Sequence, residues 1–178
     1  MRNPIVEGVL KPPLTEASPT ADGAALAALA GALDLAARKR LGRSLSIREV
    51  DAGSCNGCEL EIHALNNPIY NLEGLGIRFV ASPRHADLLL VTGPVSRHME
   101  VALRRTYAAT PEPKLVVALG DCGCTGGIFG ESYASCGRVS NVIPVDVAVP
   151  GCPPNPTQIL AGILTAVRQV RDATGTRS

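Results

Sequence analysis

The sequence predicts an α/β fold in which an N-terminal helix precedes a doubly wound, mostly parallel sheet of the flavodoxin-like kind. Short runs rich in valine, leucine and isoleucine alternate along the chain with longer segments of helical character. This alternation is typical of a parallel sheet built from βαβ units. Two of the runs, LLLV and LVVAL, are apolar throughout. Uninterrupted apolar runs indicate strands that helices bury on both faces.

Residues 1–45 are expected to form an arm and a helix that contact a partner subunit or a membrane surface. The arm contains several prolines and few apolar residues. The helix is predicted at residues 20–41, where leucines recur at helical spacing and a basic last turn precedes Gly42, which suits a helix C-cap. A helix of this kind can lie on a partner or on a membrane face.

Residues 46–178 are expected to form one domain that contains the whole sheet. Strands are predicted at residues 47–52, 77–81, 88–92, 115–119 and 145–149. Helices are predicted between and after them, at residues 59–66, 96–109 and 157–171.

The composition argues against several classes of function. The net charge is +1, so the chain as a whole is not drawn to nucleic acid. Tryptophan is absent and aromatic residues make up 3% of the chain, which argues against platforms for stacking bases. No apolar run approaches the ~20 residues that cross a bilayer, and the first residues lack a signal-peptide pattern. We therefore expect a cytoplasmic protein whose six cysteines are metal ligands or redox groups.

Four of the cysteines follow the ends of predicted strands. Cys55 and Cys58 follow the first strand, Cys122 follows the strand at 115–119, and Cys152 follows the last strand. Because the carboxyl ends of parallel strands meet at one edge of a sheet, these loops are expected to converge on one crevice. Glycines beside the cysteines let the backbone approach a bulky group. The pattern therefore suits a cluster held by four thiolates.

Other kinds of site fit the same cysteines less well. A structural zinc site usually has two C-x-x-C knuckles, whereas here the second pair is divided between separate loops. A thioredoxin-like dithiol would use Cys55 and Cys58 but would leave Cys122 and Cys152 unexplained. The glycine-rich stretch DCGCTGGIFG matches neither phosphate-binding glycine motif.

Two cysteines are left over by a four-thiolate site. Cys124 is two residues from Cys122, so in an extended segment both could face the crevice, and one of the pair is surplus. Cys136 precedes the last strand and is expected at the amino edge of the sheet, away from the crevice. We interpret it as a buried, small apolar residue.

Four motifs together resemble a known family. They are C-N-G-C-E-L-E, S-P-R-H-A-D-L-L-L-V-T-G, G-D-C-G-C-T-G-G-I-F and I-P-V-D-V-A-V-P-G-C-P-P, within about residues 48–170. They resemble the small electron-transfer subunit shared by energy-converting, membrane-bound (group 4) nickel–iron hydrogenases and respiratory complex I, where it is the 20 kDa subunit. The complex I subunit is expected to carry two adjacent cysteines in the first motif. The spacing of Cys55 and Cys58 instead resembles the hydrogenase branch, especially the formate hydrogenlyase type.

The resemblance implies one 4Fe–4S cluster of the proximal type, with Cys55, Cys58, Cys122 and Cys152 as its ligands. It also implies a non-catalytic relay subunit of a multisubunit oxidoreductase, which passes electrons to or from a catalytic large subunit of nickel–iron or quinone-site type. A ferredoxin-like iron–sulfur subunit and membrane-arm subunits would be further partners. The complex would hold the chain at the inner face of the cell membrane. Two alternatives are a complex-I-like NADH–quinone oxidoreductase subunit and, in another class, a zinc-binding assembly module.

Two carboxylates follow the first cysteine pair. The resemblance implies that a glutamate of this motif takes part in proton movement, and Glu61, three residues after Cys58, is the candidate for a proton relay. The other role open to Glu61 is to complement the dipole of the helix start. Glu59 is interpreted as an ordinary helix-start residue.

Cationic side chains near the strand ends fall into two groups. Arg97 and His98 follow the strand at 88–92, so they are expected at the same edge as the cysteines, where they could tune a cluster or pair with a partner. Arg84 and His85 precede that strand and are expected at the opposite edge. His63 is expected to be packed or exposed on a short helix rather than to act as a ligand.

Overall fold

The structure of the protein is a computed structural model that describes residues 23–168. The predicted arm, the first residues of the predicted N-terminal helix and the end of the last predicted helix lie outside the described residues. The helices are α1 (Gly23–Leu41), α2 (Gly57–Ala64), α3 (Arg97–Ala109), α4 (Gly120–Thr125) and α5 (Pro156–Arg168). The strands are β1 (Ser46–Asp51), β2 (Arg78–Phe79), β3 (Leu88–Thr92), β4 (Leu115–Leu119) and β5 (Val147–Val149), with short 3-10 helices at Glu73–Leu75, Pro83–His85 and Val139–Asn141.

The five strands form one sheet in the order β2-β1-β3-β4-β5, and every neighbouring pair is parallel. This order is that of flavodoxin-like doubly wound folds, in which the strand order reverses between the first and third strands. The predicted fold class is therefore confirmed. The connection from β1 leads toward β2 and the connection from β3 leads toward β4, so the sheet opens a crevice at its carboxyl edge.

Each face of the sheet has its own core. On one face, side chains from α1, α2 and α5 pack against alternate residues of the strands, among them Ile47, Leu90 and Val117. On the other face, α3 and the segment around Val139 cover the intervening residues, such as Leu89 and Val116. The strands β3 and β4 are buried along their whole length, as the uninterrupted apolar runs LLLV and LVVAL predict.

Two strands are shorter than the sequence predicts, and local chemistry explains both. The ladder between β1 and β2 ends where Val80 N–H donates to the Ile47 carbonyl, and Pro83 soon begins a 3-10 turn. Proline cannot donate to a ladder, so β2 stops early. Ahead of β5, the Asp146 carboxylate accepts a 2.8 Å hydrogen bond from Val116 N–H. A side chain thus takes the place of a strand carbonyl, and β5 begins two residues later than predicted, at Val147.

Helix α1 ends where the sequence predicts. Gly42 has φ +70° and donates its N–H to the Arg38 carbonyl at 2.9 Å. It caps the C-terminus of the helix in the left-handed conformation that glycine favours. Leu33 and Ala37 of α1 are buried in the same core as residues of α5, so the described part of the N-terminal helix packs on the domain. Over residues 23–168, none of the helices combines the length and the apolar character that crossing a membrane requires.

Candidate functional site

The structure brings four cysteines to the carboxyl edge of the sheet. Cys55 lies on the loop after β1 and Cys58 in the first turn of α2, while Cys122 lies in α4 and Cys152 on the loop after β5. All four are free thiols; Cys55 and Cys152 are exposed, and Cys58 and Cys122 are half-buried. The sequence-based prediction that three loops carry these cysteines to one edge follows directly from the all-parallel sheet.

The three loops approach one another closely. A Cβ atom added at Gly57 would lie 3.5 Å from Cys55 Sγ and 4.0 Å from the Pro153 ring, so the loop after β1 reaches the loop after β5. A Cβ atom added at Gly120 would lie 2.7 Å from Cys58 Sγ and 3.5 Å from the Gly151 carbonyl oxygen. The turn after β4 therefore lies between Cys58 and the loop that carries Cys152.

Glycines cradle two of the sulfur atoms. Gly120 has φ +79°, and a side chain there would collide with Cys58 Sγ. Gly127 has φ +56°, and its added Cβ atom would lie 2.8 Å from Cys122 Sγ. Both positions need a residue that tolerates positive φ and leaves space beside a thiol, which only glycine does without strain. The local sequence thus keeps side chains away from the cysteine sulfurs.

The thiols act on one another electrostatically. Burial, then Glu59 and the thiols of Cys55, Cys122 and Cys152, raise the pKa of Cys58 to about 12. Burial, followed by Cys152, Cys55 and Asp121, also raises the pKa of Cys122. Thiols that raise one another's pKa resist joint ionisation unless a cationic group is bound among them, because like charges oppose each other. The donor set therefore suits a bound metal cluster, which would take up the thiolates and release protons.

Two aspartates shape the loops that carry the cysteines. Asp51 Oδ1 accepts 2.8 Å hydrogen bonds from the N–H groups of Gly53 and Ser54, which forms the turn into Cys55. Asp121 Oδ1 accepts a 2.8 Å hydrogen bond from Gly151 N–H. The role of Asp121 was not predicted from the sequence, because no sequence pattern relates it to a residue thirty positions away.

Cys124 does not belong to the group of four. Its thiol donates a 3.6 Å hydrogen bond to the Ala118 carbonyl. Burial raises its pKa to about 11, with a lowering contribution from the Val149 backbone and a raising one from Asp121, and no other cysteine contributes. The segment is helical rather than extended, because Cys122 and Cys124 both lie in α4. Residues two apart on a helix point in different directions, so only one of the pair faces the crevice.

Cys136 is buried as predicted, but its predicted position is wrong. Its N–H donates to the carbonyl of Val95, which follows β3, so the cysteine lies at the carboxyl edge rather than at the amino edge. The reason is that the long connection after α4 crosses that edge before it descends to β5. The Cys136 thiol lies 3.3 Å from Glu100 Oε2 and packs in the second core, away from the four cysteines.

Glu59 differs most from its sequence-based interpretation. It is 6% exposed, and neither carboxyl oxygen has a hydrogen-bond partner among residues 23–168. Helix α2 begins two residues earlier than predicted, at Gly57, and Glu59 lies one turn before the buried Ile62, on the same face of the helix. Burial, then Glu59, raises the pKa of Glu49, whereas His63 and Arg48 lower it. Glu59 is therefore a buried carboxyl group beside the site.

The remaining candidates lie near the positions expected from the sequence. Glu61 is half-buried on α2, one turn beyond Cys58. Arg97 and His98 are exposed at the start of α3, and Arg97 Nη1 lies 3.7 Å from Glu100 Oε2. Arg84 and His85 are at the amino edge, in the 3-10 turn that precedes β3, and His63 is exposed.

A single-ion site is not present in this part of the chain. Within residues 23–168, no three His, Cys, Asp or Glu side chains converge closely enough to bind one metal ion.

Large apolar side chains are exposed on the loop that follows α4. Ile128 is 95% exposed, Tyr133 is 97% exposed and Phe129 is 58% exposed. The loop itself is ordered by hydrogen bonds, including Gly130 N–H to the Gly126 carbonyl and Arg97 N–H to the Ala134 carbonyl. Three large apolar side chains exposed on one loop are typical of an interaction surface.

Known proteins resemble this chain over most of its length. A probable membrane-bound hydrogenase subunit of Pyrococcus furiosus is 46% identical over 132 residues, which cover 74% of this chain and 79% of that protein. Formate hydrogenlyase subunit 7 of Escherichia coli is 45% identical over 72% of this chain, and the match spans about half of that protein, 51%. An NADH-quinone oxidoreductase subunit of Desulfovibrio desulfuricans is 45% identical over 69% of this chain and 66% of its own length.

A solved structure is also similar to this chain. A chain of an archaeal respiratory membrane complex, the membrane-bound sulfane sulfur reductase, superposes with a TM-score of 0.61 at 37% identity, covering 74% of this chain and 71% of that one. Residues 55–166 match the family described as the NADH ubiquinone oxidoreductase 20 kDa subunit. The matched residues run from Cys55 into α5 and include all four cysteines of the carboxyl edge. The chain therefore belongs to this family, which supplies subunits to multisubunit oxidoreductases of the complex I and hydrogenase type.

Proposed function

We propose that this protein is an electron-relay subunit that carries one 4Fe–4S cluster on Cys55, Cys58, Cys122 and Cys152. It would pass electrons to or from the catalytic large subunit of a membrane-associated hydrogenase complex, and would not itself bind the substrate. The observation that carries the proposal is the convergence of four mutually interacting thiols from three strand ends at one edge of the sheet.

The chemistry of these residues supports a cluster. Four cysteine thiolates are the usual ligands of a 4Fe–4S cluster, which supplies one-electron redox chemistry when bound. Gly120 and Gly127 keep space free beside the sulfurs of Cys58 and Cys122. The two half-buried and two exposed thiols would put part of the cluster near the surface, where a partner can exchange electrons with it.

The exposed apolar loop supports a partner at this edge. Gly127 lies directly over Cys122 Sγ, and the exposed Ile128 and Phe129 come next in the chain. A partner that covers this loop would exclude water from the adjacent site and bring its own redox centre near. We propose the catalytic subunit as that partner, with a ferredoxin-like iron–sulfur subunit and membrane-arm subunits as further neighbours that hold the chain at the inner face of the membrane.

Relatives of the hydrogenase and quinone types are about equally similar to this chain, at 46%, 45% and 45% identity. The type of the large subunit is therefore inferred from the cysteine spacing. The C-x-x-C spacing of Cys55 and Cys58 favours the hydrogenase type. The large-subunit sequence encoded nearby tests this choice. Two C-x-x-C motifs in it would support nickel–iron chemistry, and their absence would favour transfer to a quinone.

The central test of the proposal is the metal content of the full chain. After anaerobic reconstitution with iron and sulfide, we expect about four irons and four acid-labile sulfides per chain and, on reduction, a low-temperature EPR signal of a reduced 4Fe–4S cluster. A colourless, EPR-silent protein that holds one zinc ion would instead support the assembly-module function and overturn the relay.

We propose that Glu61 takes part in proton movement that accompanies electron transfer. It is half-buried and lies one helical turn beyond Cys58, on the same face of α2. In the assembled complex, Glu61→Gln should reduce proton-coupled turnover while the EPR signal of the cluster is unchanged. Turnover at the wild-type rate would show that Glu61 only complements the helix start.

A further inference from the structure

Two of the cysteine loops are joined through a single residue, Asp121. Its backbone N–H donates a 2.8 Å hydrogen bond to the Gly151 carbonyl, and its side-chain Oδ1 accepts a 2.8 Å hydrogen bond from Gly151 N–H. Asp121 directly precedes Cys122, and Gly151 directly precedes Cys152. The pair of bonds therefore ties together the two segments that hold these cysteines.

The Gly151 end of this connection is fixed by its backbone. Gly151 has φ +136°, and an added Cβ atom would lie 2.7 Å from Pro154 Cα. Because glycine has no side chain, Gly151 contacts the turn after β4 only through its backbone N–H and carbonyl. The side chain of Asp121 is exposed, so packing in the core does not explain its position.

We propose that Asp121 is a positioning residue that holds Cys122 and Cys152 at their working separation and also keeps the reduction potential of the bound cluster low. The inference rests on the proposed 4Fe–4S function and adds a role for a residue outside the ligand set. The hydrogen bond sets the geometry, and the negative charge of the carboxylate sets the direction of the effect on potential.

The direction of the electrostatic effect follows from charge. A 4Fe–4S cluster with four thiolates is anionic and becomes more negative when it accepts an electron. A carboxylate next to Cys122 opposes that added charge, so it favours the oxidised form and lowers the potential.

Two substitutions separate the hydrogen bond from the charge. Asp121→Asn keeps a carbonyl oxygen that can accept from Gly151 N–H but removes the charge. Asp121→Ala removes the side-chain acceptor as well as the charge, and keeps only the backbone bond to the Gly151 carbonyl. Each variant of the full chain is reconstituted anaerobically with iron and sulfide. Loss of iron to a chelator is followed over time, and the midpoint potential is measured by EPR-monitored redox titration. Glu73→Gln, which removes an equal charge near the amino edge, is the matched control.

We expect Asp121→Ala to lose iron roughly 10–100-fold faster than the wild type, as for other residues that orient metal ligands. Asp121→Asn should keep iron at the wild-type rate and have a higher midpoint potential, and Glu73→Gln should match the wild type in both measurements. The inference is overturned if Asp121→Ala retains iron like the wild type, if Asp121→Asn loses it as fast as Asp121→Ala, or if the midpoint potential of Asp121→Asn is unchanged. A wild-type chain that forms no 4Fe–4S cluster would instead overturn the proposed function, and this inference with it.

Discussion

Replacing Cys122 by alanine should abolish the EPR signal of the 4Fe–4S cluster, whereas replacing Cys124 by alanine should leave it intact. The two cysteines are only two residues apart, but Cys122 interacts with the thiols of Cys152 and Cys55 while Cys124 bonds to the Ala118 carbonyl. A cubane that loses one of four thiolates has an open iron site, so we expect loss of at least one iron per chain. Iron analysis and EPR after identical reconstitution provide the measurement.

Cys136→Ala is the matched control, because it removes another thiol at the same edge of the sheet without touching the group of four. It should retain both the iron content and the spectrum of the wild type. Alanine variants of Cys55, Cys58 and Cys152 should behave like Cys122→Ala. A Cys124→Ala variant without the cluster, together with a Cys122→Ala variant that keeps it, would mean that α4 rotates on metal binding and presents the other cysteine.

The sequence predicts the placement of the four cysteines because that placement depends only on strand order and direction. An apolar run such as LVVAL identifies a buried parallel strand, and Cys122 comes soon after it. Once every strand is parallel, the edge on which each cysteine lies is determined. This is why the fold class and the edge position of the four cysteines could be predicted without a structure.

Features that depend on the path of a loop could not be predicted in this way. The position of Cys136 was mispredicted because it lies on a long connection that crosses the carboxyl edge beside Val95 before β5 begins. The contact between Asp121 and Gly151 likewise depends on how two loops meet in space. Neither loop has a periodic pattern, so the sequence contains no signal for these contacts.

The sequence-based interpretation also missed which face of the short helix α2 is buried. Helix α2 buries Glu59 together with Ile62, because residues three apart lie on the same face of a helix. The predicted start at residue 59 made Glu59 an ordinary first-turn carboxylate. In the structure Glu59 is buried on the helix face that carries Ile62, with consequences for stability.

Glu59→Met should raise the free energy of unfolding of the metal-free chain by about 1–3 kcal/mol. Glu59 is 6% exposed, and its two carboxyl oxygens have no hydrogen-bond partner within the described residues. Leaving a buried polar group without a partner costs about 1–3 kcal/mol, and methionine has a similar shape without that cost. Urea denaturation measures the change, which should appear as a higher midpoint with an unchanged slope.

Glu61→Met is the matched control, since it introduces the same side chain two residues further along α2 at a half-buried position. It should change the unfolding free energy by less than Glu59→Met does, because the Glu61 carboxyl group of the wild type still reaches water. If Glu59→Met were instead less stable than the wild type, the Glu59 carboxyl group would have hydrogen-bond partners in solution. Since no group within residues 23–168 reaches it, those partners would be buried water molecules or groups outside that range.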